Sequence, residues 1–190
     1  MTATINASTS SGVIVTSDTS GNLDFQSSGT SRLSVTSTGV SFTNASTAAP
    51  TFSAYMNGSQ TVSAGATTKL IFNAELFDTN NNFDSTTNYR FTPTVAGYYQ
   101  INYAGSNSQG SNLNARYNLY LYKNGSAYLT LIGYNGTSGD FQIANINTIV
   151  SMNGTTDYLE IYANPIGQSL QFYGATSTNA TFSGAYIRSL

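Results

Sequence analysis

YRFTPTVAGYYQINYAG, residues 89–105, decides how the rest of the chain is read. Taken by twos, Tyr89, Phe91, Pro93, Val95, Gly97, Tyr99, Ile101 and Tyr103 share one side, while Arg90, Thr92, Thr94, Gln100 and Asn102 share the other. Period two is the signature of a β-strand, whose successive side chains leave opposite faces. Pro93 and Gly97 bracket a turn between two strands, because proline cannot donate to a ladder and glycine marks a bend. The odd positions Tyr99, Ile101 and Tyr103 are therefore expected inside a sandwich, with Tyr98, Gln100 and Asn102 on its outside.

The same texture extends in both directions from this stretch. FSAYM, TKLIF, RYNLYLYKNG, AYLTLIGY, FQIANINTIV, DYLEIYA, SLQFYG and TFSGAYI are alternating runs, bounded by Asn, Gly or Ser clusters. None carries a sustained helical repeat with caps, so residues 49–190 read as an all-β sandwich or jelly roll. In RYNLYLYK both sides are apolar: Tyr117, Leu119 and Leu121 on one, Tyr120 and Tyr122 on the other. One side fills the sandwich and the second calls for cover, a role that suits a tyrosine ring with a wet hydroxyl. An oligomer is the expectation.

Residues 1–48 are different. Ser, Thr, Gly and Asn dominate, interrupted by short apolar clusters at Val13–Val15, Leu23 and Phe25, Leu33 and Val35, and Val40 and Phe42. Turn signals separate the clusters, so a string of short strands is expected, the alternative being a Ser/Thr linker. So few apolar side chains per strand cannot close a core within one chain, and ordering implies burial against other copies or a larger partner. STAAP, residues 46–50, is the joint.

Composition narrows the function. Charged residues make up 7% of the 190, against about 25% in an ordinary globular protein, and the net charge is −2 with no cluster of either sign. Nucleic acid and anionic lipid are poor partners for such a surface. There is no Cys and no His, which removes disulfides, thiolate metal sites and the usual general base. MTATINASTSSG has neither a basic nor an apolar segment of a secretory signal, and no run reaches the length of a membrane span, so a soluble chain without membrane insertion is expected.

Three motifs in order resemble the C1q/TNF-like trimeric jelly rolls. FTPTVAGYYQINY resembles their central aromatic strand; Leu121-Tyr122-Lys123-Asn124-Gly125 resembles a strand ending in a Lys-Asn-Gly turn; Thr181-Phe182-Ser183-Gly184 followed by Ala185, Tyr186 and Ile187 resembles their last strand. Gln100 stands where the family often has an aromatic residue, and Ala185 and Tyr186 stand where its last strand has bulky aliphatics. Over residues 50–190 the resemblance implies a ten-stranded antiparallel jelly-roll sandwich, assembled as a homotrimer. The sheet holding the first, central and last strands would face the axis, with Tyr98, Tyr99, Ile101, Tyr103, Phe182 and Tyr186 packing the core or the trimer. GNLDFQSSGTSRLSVTSTGVSF, residues 21–42, resembles the β-strand repeats of phage tail and fibre proteins.

Sites of chemistry are few. DTNNNFD sets Asp78, Asn80, Asn82 and Asp84 at alternate positions, as in a calcium loop, but an EF-hand pattern would have Gly and Glu where Phe83 and Tyr89 stand. A polar turn between strands is the simpler reading, and no cofactor is expected beyond that weak calcium candidate. Asp157 and Glu160 flank a strand, Glu160 pointing outward by alternation, and no acid pair can be assigned to one cleft. The chain is not expected to be an enzyme. The Asn-rich loops 105–114 and 133–140, with Asn107, Gln109, Asn112, Tyr134 and Asn135, have the neutral amides and flat ring that suit a host surface glycan.

Together these readings describe a non-enzymatic virion structural protein of a bacteriophage, at the virion surface. Residues 1–48 would attach it to other capsid or tail proteins, and residues 49–190 would project as a head. A short tail-fibre adhesin for a surface glycan, or a secreted C1q-like ligand or lectin, are the alternatives.

Overall fold

The computed structural model describes residues 23–28, 30–36, 39–42, 49–108, 116–134, 142–175 and 179–190. The cluster at Val13–Val15 and the loop residues Gln109, Asn112 and Asn135 lie outside them. The chain divides into two compact units, Met1–Thr47 and Ala48–Leu190.

In the first unit β1 (Leu23–Ser27), β2 (Thr30–Thr36) and β3 (Gly39–Phe42) form an antiparallel meander. Its register places Leu23 opposite Val35 and Phe25 opposite Leu33, and β2 carries the same two residues opposite Val40 and Phe42. The apolar positions of neighbouring strands thus match in register, as cross-strand pairing favours. Phe25 is still 43% exposed and Val35 36%, because among the described residues three short strands have no second layer to bury them. Asp24 takes hydrogen bonds from Ser34 and Ser31.

The second unit begins with β4 (Thr51–Tyr55) and continues through β5 (Gln60–Val62), β6 (Thr68–Lys69), β7 (Ala74–Asp78), β8 (Phe83–Asp84) and β9 (Arg90–Phe91). Seven more strands follow: β10 (Gly97–Ser108), β11 (Arg116–Lys123), β12 (Ser126–Tyr134), β13 (Gln142–Met152), β14 (Leu159–Ile166), β15 (Leu170–Phe172) and β16 (Ala180–Arg188). They make two antiparallel sheets. One runs β5-β15-β10-β16-β4-β7, with β13 along the other side of β10; the second runs β12-β11-β14-β9-β8, with β6 also on β14. The ten-strand plan is drawn out into thirteen described segments because turns cut the path from β4 to β10 into five short pieces.

The quoted stretch breaks as its punctuation requires. β9 ends at Phe91, residues 92–96 turn past Pro93, and β10 starts at Gly97. From there alternation holds: Tyr99, Ile101 and Tyr103 are fully buried while Tyr98, Gln100 and Asn102 are half-buried. Phe52 from β4 ties the sheets together, stacked on Phe91 at 4.3 Å and Phe83 at 5.0 Å and edge-on to Phe182 at 5.1 Å. Such offset and edge-to-face rings add to the area they bury. At Gly184, an alanine methyl would sit 2.7 Å from Phe52 Cε1 and 2.8 Å from Ile101 Cδ1, so only glycine lets β16 pass under this layer. Asn124 and Gly125, both at positive φ, close the β11–β12 hairpin in the manner Asn-Gly favours.

Candidate functional site

The sandwich turns one outer face from each sheet to its surroundings, and their chemistry differs. On the seven-stranded sheet the cross-strand rows can be read from register. Asn147, Asn102, Ser183, Ser53 and Phe77 form one row across β13, β10, β16, β4 and β7. Ile149, Gln100, Ala185 and Thr51 form the next. Apart from the isoleucine and phenylalanine these are small or neutral side chains, a surface with no net charge to desolvate. Gln100 and Asn102 partly satisfy one another, Gln100 Nε2 donating to Asn102 Oδ1 at 3.3 Å. At one end Tyr98, Ile149, Ile187 and Arg188 line an apolar hollow of about 310 Å³, with the Arg188 guanidinium over the Tyr98 ring at 5.5 Å. Ile149, Ile187 and Phe77 are each about half exposed.

Tyr99, Ile101, Tyr103 and Phe182 belong to the inner layer instead, and Tyr186 packs edge-on to Tyr99 at 5.5 Å. The Tyr99 hydroxyl donates to the Val95 carbonyl at 2.7 Å, and burial together with Tyr186 raises its pKa well above the usual phenol range. Tyr103 is raised in the same way by burial.

The six-stranded sheet carries aromatic and ionic groups outward. Tyr122 and Tyr162 stack at 4.2 Å, and Tyr120 meets Tyr122 edge-on at 5.7 Å. Lys69 Nζ lies 5.8 Å from the Tyr162 ring, pairs with Glu160 at 2.5 Å and donates to the Asn88 carbonyl at 3.0 Å. Burial, chiefly, raises the Tyr162 pKa. Glu160 lies on the outer side, as alternation implied, yet it is only 4% exposed. The two-residue strand β6 pairs with β14 there and brings Lys69 over it. A buried carboxylate needs such a partner.

Next to this face a hollow of about 480 Å³ is lined by residues of the 75–94 segment. Its floor is the DTNNNFD turn. Asp78 accepts the Phe83 and Asn80 amides, and Asn82 exchanges bonds with Thr94. Asp84 accepts from the amides of Thr86, Thr87 and Asn88, the Thr86 hydroxyl and the Asn88 side chain. The Thr87 amide foremost, then the other donors, hold Asp84 far below the usual carboxylate range against the opposing effect of burial. The oxygens set at alternate positions as in a calcium loop are thus turned to backbone and side-chain donors within the loop. Asp157 is similarly engaged, with Lys123 at 2.9 Å and bonds from Asn124 and the Asn153 amide. Burial pushes its pKa up, but these partners outweigh it and the net shift is downward.

Two of the residues expected to touch a glycan are described in full. Tyr134, at the end of β12, is 64% exposed. Asn107 is not in a loop: it continues the inward parity of Tyr103 in β10, pairs in register with Gln142 and Phe172, is fully buried, and bonds the Tyr117 hydroxyl. It is a core group, unavailable to a ligand at the surface. The hollow over residues 75–94 was not foreseen: β8 and β9 pair locally, but β7 is placed by β4 and β9 by β14.

No protein-family model matches the chain, and no curated protein matches it in sequence. Solved structures do. Murine APRIL at pH 5.0 superimposes with a TM-score of 0.53 at 6% identity, over 73% of this chain and 99% of that one. Eiger TNF from S. frugiperda gives 0.51 at 9% identity, over 75% and 93%. PRD1 vertex protein P5 gives 0.46 at 14% identity, over 74% and 96%. At these identities the likeness is one of fold: residues 48–190 form a TNF-like jelly roll.

Proposed function

We propose that the protein is a non-enzymatic structural component of a bacteriophage particle, a homotrimer whose head packs about a threefold axis through the outer face of the seven-stranded sheet. The observation that carries the assembly is that face itself. It is broad, nearly free of charge, and leaves Ile149, Ile187 and Phe77 half exposed, so burying it costs little desolvation and covers apolar area. The β1–β3 meander is the second support, since Phe25 and Val35 lack cover among the described residues and a partner surface would supply it.

Placement on the virion surface, as a capsid decoration or head-fibre protein, is supported by the phage-fibre style of residues 21–42 and by the scarcity of charge. No helix among the described residues is long and apolar enough to cross a membrane. Light scattering of the purified chain tests the trimer: three chains of 20.1 kDa give about 60 kDa, and a 20 kDa particle at micromolar concentration overturns the assembly. Antibody labelling of the parent particle in the electron microscope tests the location, and absence of label from capsid and tail alike overturns the virion role.

A further inference from the structure

We infer that the outer side of the six-stranded sheet, with the hollow over residues 75–94, is a binding surface for a neutral oligosaccharide. The hollow has a volume within the range of small-ligand sites, about 300–1,000 Å³. Its floor is fixed in advance by the bonds to Asp84 and Asn82, so little ordering is needed when a ligand arrives. What lines it is more informative. Asn81, Ser85 and Thr92 have no side-chain hydrogen-bond partner among the described residues, and Glu75 and Arg90 have no ion pair there. Glu75 and Arg90 offset one another, and an amide and two hydroxyls add donors and acceptors; Asp84, whose oxygens are taken up by the loop's own donors, leaves the lining with one net negative charge. A polyol that both gives and takes hydrogen bonds matches that set. A polyphosphate or sulfated chain would need several cations, and only Arg90 lines the hollow.

Arg90 is pre-positioned, its guanidinium lying 4.3 Å from the Tyr158 ring centre. Beside the hollow, the Asn88 carbonyl accepts from Lys69, which in turn lies over Tyr162. Tyr120, Tyr122 and Tyr162 are half exposed and held by one another, Tyr122 stacked on Tyr162 and edge-on to Tyr120, which makes an aromatic cluster and not a plane. The C–H groups of a sugar pack on the exposed part of such a cluster while its hydroxyls stay wet. The inference rests on the trimeric reading only in assigning the seven-stranded sheet to the axis, which leaves this face open.

Binding of the full chain to an array of neutral gluco-, manno- and N-acetylglucosamine oligosaccharides, with oligogalacturonate and heparin fragments as charged comparators, tests it. At least one neutral oligosaccharide is expected to be retained. In titrations with that sugar, Arg90→Gln and the pair Ser85→Ala/Thr92→Val are each expected to weaken binding about fivefold or more. Tyr122→Ala is expected to weaken it similarly and Tyr122→Phe to preserve it, since Phe keeps the ring and the fold. Retention of no neutral sugar, retention of heparin alone, or variants that bind like the parent would each overturn the inference. Light scattering on the same samples separates the two ideas: a trimer that ignores every sugar sinks only the site, and a monomer that binds sinks only the assembly.

Discussion

The two outer faces of the sandwich are built on the same alternation and end with opposite surfaces. On the seven-stranded sheet the outward positions of β10, β13 and β16 are chiefly Gln, Asn, Ser, Thr, Ala and Ile, with Tyr98 and Arg188 at one end; on the six-stranded sheet those of β11 and β14 are chiefly Tyr, Asn and Glu, with Arg116 and Ile166 at one end and Lys69 laid across them. The first surface has little to lose on leaving water. The second has rings, an ion pair and hydroxyls, which are worth more where solvent or a polar ligand can reach them. Period two assigns a residue to a side and says nothing of what that side meets, so composition within each face has to discriminate between them.

The sharpest way to break this comparison is to place a charge on each face. Ser183 lies between Ser53 and Asn102, and Ser183→Arg is expected to reduce the scattering mass threefold, from about 60 to about 20 kDa, because a buried unpaired guanidinium costs several kcal/mol. Thr130, opposite Tyr120 on β12, is exposed, and Thr130→Arg is expected to leave the mass unchanged. The reverse result would exchange the roles of the two sheets.

A smaller effect distinguishes the ionic pair. Lys69→Met leaves Glu160 buried without its cation, and a loss of about 2 kcal/mol is expected by urea denaturation at neutral pH. That lies below the cost for a fully buried pair because the Lys69 side chain is a quarter exposed. The double variant Lys69→Met/Glu160→Met is expected to recover most of it, since paired ions in a protein interior are replaceable by apolar side chains. The assembly should not respond to either. Equal losses in the single and double variants would show that Glu160 does not depend on Lys69.

How much of this was legible follows from what was local. Tyr99, Ile101 and Tyr103 could be assigned to the core because each strand position fixes the next, and the Asn124-Gly125 turn could be read because its conformation is dictated by those two residues. Asn107 could have been placed by extending the same parity four residues beyond Tyr103, but its Asn- and Ser-rich surroundings read as a loop. Glu160 follows its parity, but its burial is set by β6, two residues whose pairing partner lies about ninety positions away. The hollow over 75–94 shares this cause in part, since β7 is placed by β4 and β9 by β14 although β8 and β9 pair locally. DTNNNFD displays oxygens in a ligand-like rhythm, yet Asp84 spends them on the amides of the three or four residues that follow, an Asx-type closure as local as a metal loop and indistinguishable from one by spacing.

That closure also gives the last and smallest test, because it is the floor of the six-stranded face. The bonds from Thr87, Thr86 and Asn88 hold the Asp84 pKa below its value in the unfolded chain. A carboxylate so depressed contributes stability that is fully present above its unfolded pKa, near 4, and is lost as pH falls below it toward the folded value. Asp84→Asn keeps the shape, removes the charge and turns an amide NH₂ toward donors, so it is expected to cost about 1 kcal/mol at pH 7, reduced from a buried case by solvent screening. Between pH 4 and pH 2 the gap between parent and variant should narrow, as the parent carboxylate protonates and the variant does not. Asp157, depressed in the same sense, is present in both proteins and drops out of the difference. A gap that stays constant through the acid range would mean that the loop is held by its geometry and not by the charge on Asp84. The floor of the hollow would then be ordered even in the protonated protein.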